Sequence, residues 1–180
     1  MGAAETLSGL EASRDFFEQT VGGIPESEAT LRQAPDTWTI LGIVEHIVVA
    51  ERALLARLTT AHLSDSVPRD PAREARLAAG LKNRSAQVKA PERAQPAGRF
   101  SSLAEALRQF VEARNKTIRF ARERAEELYS LTAEHPFFGT VNGIEMLIVM
   151  AGHSDRHADQ IVAIRSLKSE RGHTRYHELQ

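Results

Sequence analysis

A chain of 180 residues with 42% hydrophobic content can bury one core without cross-links, so a single domain over residues 1–180 is expected. Its 23 basic and 24 acidic residues leave a net charge of −1, which gives no general attraction to phosphate backbones or anionic lipid and sets nucleic acid aside as a partner. Cysteine is absent, which removes disulfides, thiolate metal sites and a cysteine nucleophile together and leaves any metal to His and carboxylate ligands.

The first residues carry no basic segment followed by a long apolar run, so neither a signal peptide nor a membrane anchor is expected. The longest apolar stretch, Ile144 to Gly152, is broken by Glu145 and is too short to span a bilayer. The expectation is a soluble protein, compatible with a reducing cytoplasm. Long periodic segments without proline, and few alternating Val/Ile/Thr runs, point to an all-α fold.

A first helix is predicted from about Glu5 to Val21, with Leu7, Leu10, Phe17 and Val21 on one stripe and Gly22-Gly23 as its stop. The second long helix opens at Thr39 as N-cap, with Trp38 and Ile43 placed as a hydrophobic staple, and runs to about Leu58. Its stripe is Ile40, Ile43, Val44, Ile47, Leu54, Leu55 and Leu58, and its exposed side is expected to centre on Glu45, Arg52 and Ala56.

The link from Thr59 to Arg99 is too long to lack structure in a compact domain. Asp70-Pro71 followed by Gly80 predicts a short helix within it, and Lys89 to Gly98 reads as extended. The third long helix starts at the capping box Ser102-Leu-Ala-Glu105, with Leu103, Leu107, Phe110, Ile118, Ala121 and Leu128 on one stripe. After a turn at His135-Pro136-Phe-Phe-Gly139, Thr140 is expected to cap the fourth, ending near Lys168. Four long amphipathic helices in one chain imply a bundle.

Within the fourth long helix, His153 and His157 fall in the middle of an apolar face. Helical geometry places His157 about 40° from His153, among Met146, Val149, Met150, Ile161 and Ile164, while Asp155 and Asp159 point away. Imidazoles buried among Met and Ile need partners for their ring nitrogens. A metal ion shared across the i, i+4 pair would provide one, and a hydrogen-bonded structural pair is the alternative that periodicity leaves open. A metal needs a further ligand, and His46, at the border of the stripe on the second long helix, is the candidate; ligands on facing helices are joined by packing. Three His ligands leave coordination positions open, as catalytic sites do.

Other polar residues are read more plainly. His173 and His177 share the i, i+4 spacing but follow Gly172 in a polar tail and are expected to be exposed, while His62 and His135 fall in expected loops and receive no role. Glu51 and Arg114 each interrupt an apolar stripe, and a buried ion pair between them is predicted because an unpaired buried charge is so costly. The alternative for Arg114 is to line the site and hold an anionic substrate. Gln160 lies on the histidine face one turn beyond His157 and reads as a hydrogen-bonding partner rather than a ligand.

Taken together, Pro35-Asp-Thr-Trp38 running on to His46 and Glu51, the Lys89-Ala-Pro-Glu link, and His135-Pro-Phe-Phe-Gly139 leading to His153, His157 and Gln160 resemble the DinB-like (DinB/YfiT) superfamily of metal-binding four-helix bundles. The resemblance implies that His46, His153 and His157 form a metal triad. It implies an up-down-down-up bundle with a long crossover between the second and third long helices, often a homodimer. Members with assigned activity are metal-dependent enzymes using low-molecular-weight thiols, as S-transferases or maleylpyruvate isomerases; the superfamily name does not imply DNA binding.

The expectation is therefore a metal-dependent enzyme whose triad activates a small thiol or water, with zinc, nickel or iron suited to an imidazole set. With no cysteine of its own, the protein would borrow the thiol. A non-catalytic metal-binding or stress-associated bundle, and a metal-free structural dimer, are the rival readings.

Overall fold

The computed structural model describes residues 2–82 and 89–177, with side chains through Lys168 in the last helix. Helices α1 (Ala3–Gly22), α2 (Ile40–Thr59), α4 (Leu103–Glu123) and α5 (Gly143–His177) are the long ones, and α3 (Pro71–Lys82) lies in the connection between α2 and α4. Both α1 and α2 pack against α4 and α5, so the first two helices sit at opposite corners of a four-helix bundle, and α3 lies on α5. The buried stripes meet as expected: Phe17 and Val21 of α1, Ile43 and Ile47 of α2, Phe110 of α4 and Ile161 of α5 belong to one cluster, and Leu10, Leu54, Ile118 and Met146 to a second.

The helix starts obey local chemistry. The Thr39 side chain accepts from the Gly42 N–H at 3.0 Å, and Asp70 accepts from Ala72 and Arg73 at the start of α3. Ser102 accepts from the Glu105 N–H at 3.1 Å, while Glu105 reaches back to the Ser101 N–H rather than closing the box on Ser102 itself. The Leu103 N–H, left over at that end, is taken by Glu26.

Four expectations are corrected. Strands β1 (His62–Leu63), β2 (Leu131–His135) and β3 (Gly139–Asn142) form a small antiparallel sheet in the order β1-β2-β3. The two longer strands are a hairpin around the predicted Pro136-to-Gly139 turn, with His135 opposite Gly139. Thr140 consequently lies inside β3 and caps nothing; the Asn142 side chain accepts from the Glu145 N–H at 2.9 Å, and Glu145 returns the contact to the Asn142 N–H.

Leu128 is fully buried but lies beyond the end of α4, where its carbonyl receives the Gly143 N–H at 2.8 Å. A Cβ on Gly143 would stand 2.6 Å from that oxygen, so the residue opening α5 has to be glycine for the hairpin to dock. Finally, α5 continues through Gly172 to His177 instead of stopping near Lys168, and the side chains of His173 and His177 lie outside the described residues. Among the described residues, no helix is long and apolar enough to cross a membrane.

Candidate metal centre

Packing of α2 against α5 brings His46 up to His153 and His157. The three rings form a nearly equilateral triangle, with centroids 5.0 Å apart for His46 and His153, 5.1 Å for His46 and His157, and 4.8 Å for His153 and His157. One ligand nitrogen from each lies within 4.8 Å of the others. His46 is buried, the other two are half-buried, and Trp38 stacks over His46 at 4.8 Å.

The outer nitrogens are tied down in a way that aims the inner ones. His46 Nδ1 lies 2.7 Å from the carbonyl oxygen of Ala94; a carbonyl only accepts, so Nδ1 carries the proton and Nε2 presents a lone pair. His157 Nδ1 stands 2.8 Å from Gln160 Oε1, which fixes that ring in the same way. Gln160 therefore has the orienting role its position on the helix face predicts, the usual partner of a ligating imidazole.

His46 Nε2 and His153 Nε2 are 3.2 Å apart. Two nitrogens bound to one ion at about 2.0–2.1 Å with tetrahedral angles stand about 3.3 Å apart, so this edge of the triangle already has ligand spacing. The other edges are up to 4.8 Å long, so a shared tetrahedral ion asks His157 to close in by as much as about 1.5 Å.

Electrostatics act in the same direction. Desolvation, followed by the neighbouring His157 and His46, pushes the His153 pKa well down. Desolvation also lowers that of His46, against the Ala94 hydrogen bond. Imidazoles kept neutral near pH 7 are the form that binds a metal ion. The donor set fits a divalent cation with a position left open.

The loop that supplies Ala94 is held by a residue read from the sequence as exposed. Glu45 is 1% exposed, and its carboxylate accepts from the backbone N–H groups of Ala97, Gly98 and Arg99 and from the Arg99 side chain. Burial pushes its pKa up, but the Ala97 N–H and the two donors of Arg99 outweigh it and leave the pKa low. Gly98, at φ +72°, provides the left-handed turn that lets successive N–H groups converge. Periodicity placed Glu45 on the solvent side correctly as a helix face; what covers that face is a strap from distant sequence. Inside the stretch read as extended, Glu92–Ala94 form one 3₁₀ turn, which presents the Ala94 carbonyl to His46.

His135, given no role from sequence, is 7% exposed at the end of β2. Burial, with a smaller contribution from Arg57, lowers its pKa to about 4. The alternation of Leu131, Ala133 and His135 before a Pro-and-Gly turn was the signal that could have placed it on the inner face of a hairpin.

Arg114 does not line this site. It is fully buried and donates to both Glu51 oxygens at 2.8 and 3.0 Å, to the carbonyls of Leu10 and Met150, and to the hydroxyls of Ser13 and Ser154. Thr117 adds a bond to Glu51 at 2.7 Å. The predicted ion pair is thus the centre of a network that touches all four bundle helices.

A comparison with curated proteins finds no match. Among solved structures the chain is similar to TT2238, a four-helix bundle protein, at 23% identity and TM-score 0.59, covering 89% of this chain and 98% of that one. It is also similar to YfiT from Bacillus subtilis at 12% identity and TM-score 0.63, covering 93% of this chain and 87% of that one. A likeness at these identities establishes the fold. The sequence model of the DinB superfamily matches residues 9–161; with the bundle and its histidines in place, the chain belongs to the DinB superfamily.

Proposed function

We propose that the protein is a metal-dependent enzyme in which His46, His153 and His157 hold one divalent ion. The observation that carries this reading is the convergence of three imidazoles, one ligand nitrogen of each lying within 4.8 Å of the others, with His46 Nδ1 bound to Ala94 and His157 Nδ1 to Gln160. An ion held there supplies Lewis acidity that generates a nucleophile from water or a low-molecular-weight thiol near neutral pH.

The chain's own residues do the rest. Ala94 and Gln160 orient the ligands, Trp38 shields His46 from solvent, and the 91–99 strap fixes one side of the site. Hydrolysis is favoured by the description of YfiT as a probable metal-dependent hydrolase; thiol S-transfer is the second reading, since the chain has no cysteine to provide sulfur itself. Zinc, nickel and iron all suit three imidazoles. We take the working form to be a cytoplasmic homodimer, testable by sedimentation.

Metal analysis of protein purified without an affinity tag tests the centre. Near-stoichiometric metal in the wild type and less than about a tenth of an equivalent in His153→Ala are expected; equally low metal in both removes the proposal. Assays of ester hydrolysis and of electrophile conjugation with several small thiols then separate the two chemistries. A metal-loaded protein inactive in both, at rates indistinguishable from His153→Ala, leaves a non-catalytic metal-binding bundle.

A further inference from the structure

Beside the triad lies an open cleft of about 690 Å³, lined by Arg57, Pro91, Glu92, Arg93, Glu134 and His135. Two features tie it to the histidines. Arg93 directly precedes Ala94, whose carbonyl holds His46. His135 ends β2, and β2 packs against both α2 and α5, the helices that carry the three histidines.

The polar groups of the cleft are unequally committed. His135 Nδ1 accepts the Phe137 N–H at 3.2 Å, so the proton of the neutral ring is on Nε2. That N–H has no protein partner among the described residues, and His135 is one of the residues that line the cleft. The Phe138 ring, 4.8 Å away, packs against the imidazole and holds its orientation. Arg57 gives Nη1 to the Glu134 carbonyl at 2.9 Å and makes no other side-chain bond among the described residues. The exposed Arg93 side chain makes no bond among the described residues.

On the acidic side, one oxygen of the Glu134 carboxylate accepts from the Thr140 hydroxyl, and Glu134 and Glu92 are both exposed. The two arginines and two glutamates offset one another. The charge of a cation at the triad would therefore stay uncompensated and favour an anion in the cleft.

We infer that this cleft seats the carboxylate of a small-molecule substrate, with His135 Nε2–H and the Arg93 guanidinium donating to its oxygens and Arg57 beside them. Neutral N–H and planar guanidinium donors together match a carboxylate's two oxygens. The preference for an anion rests on the metal reading above, while the donors themselves belong to β2, α2 and the strap.

Benzoate is the probe, titrated into zinc-loaded and metal-free protein while backbone amide resonances are followed by NMR. Expected shifts concentrate at Arg57, Glu92 to Ala94 and Glu134 to Phe138. Arg93→Ala and His135→Ala are each expected to weaken benzoate about tenfold, the loss of one charge-assisted or buried donor, with bound zinc unchanged; His135→Gln, which keeps a donor, should recover part of the loss. Arg93 is exposed, so its variant keeps the test decisive if His135→Ala fails to fold. Residue-dependent binding by protein that takes no zinc would sustain the seat and remove the metal reading. Binding that needs zinc and is indifferent to Arg93→Ala overturns the inference, as do shifts elsewhere or none at tens of millimolar benzoate.

Discussion

The bundle core contains two polar clusters that differ in how their hydrogen-bonding capacity is spent. Around Glu51 and Arg114 every donor of a fully buried guanidinium meets an acceptor, and both carboxylate oxygens are used. Around His46, His153 and His157 the Nδ1 atoms of His46 and His157 are bound to protein, and the Nε2 atoms of His46 and His153 face each other. A saturated network can only hold helices together, whereas one whose lone pairs converge has capacity left for a ligand. Both clusters interrupt apolar helix stripes, so the burial cost that flags them in the sequence does not by itself say which is which.

The comparison is broken most strongly at Glu51. Glu51→Ala leaves the Arg114 charge buried without its partner and should cost about 3–5 kcal/mol, read by denaturant unfolding, while metal content per folded chain stays as in the wild type. A near-neutral effect would show that the network does not carry the load its geometry implies. Glu45→Ala is expected to cost less, about 1.5–3 kcal/mol for losing a charged acceptor. Its distinguishing sign is local: amides of Ala97, Gly98 and Arg99 should exchange faster than in wild type while those of the α4 interior are slowed as before.

Gln160→Ala sharpens the contrast from the other side. It should leave the melt almost unchanged and weaken metal affinity about 10- to 100-fold through loss of the His157 orientation; a titration showing wild-type affinity would assign Gln160 to packing alone.

Mild acid gives the smallest change. His135 has a folded pKa of about 4, against about 6.5 for an unfolded histidine. Between these values the unfolded chain binds a proton that the folded chain refuses, so stability is complete above pH 6.5 and falls as pH drops through that window. From pH 7 to 6 the loss for this residue should be less than about 1 kcal/mol. His135→Gln should flatten that part of the stability profile; an unchanged slope would mean that other histidines account for it.

Much of this was legible because the informative residues are anomalies within a local period. The stripes that place Ile43, Phe110 and Ile161 inside also mark His153, His157, Glu51 and Arg114 as residues with no reason to be there unless partnered. The Glu51 partner could be named for the same reason, since Arg114 interrupts a facing apolar stripe. The hairpin was harder, because β2 and β3 are short and their pairing depends on Gly143 meeting Leu128 across the end of α4.

The sequence alone determined the number and phase of the long helices, their caps at Thr39 and Ser102, and the placing of His153 and His157 on one apolar face, since each follows from spacing along one segment. Tertiary structure alone decided that Glu45 is buried, that the Ala94 carbonyl holds His46, and that His135 lines a cleft. These depend on a strap and a hairpin arriving from tens of residues away. A helical period says which face a residue occupies; only packing says what comes to cover it.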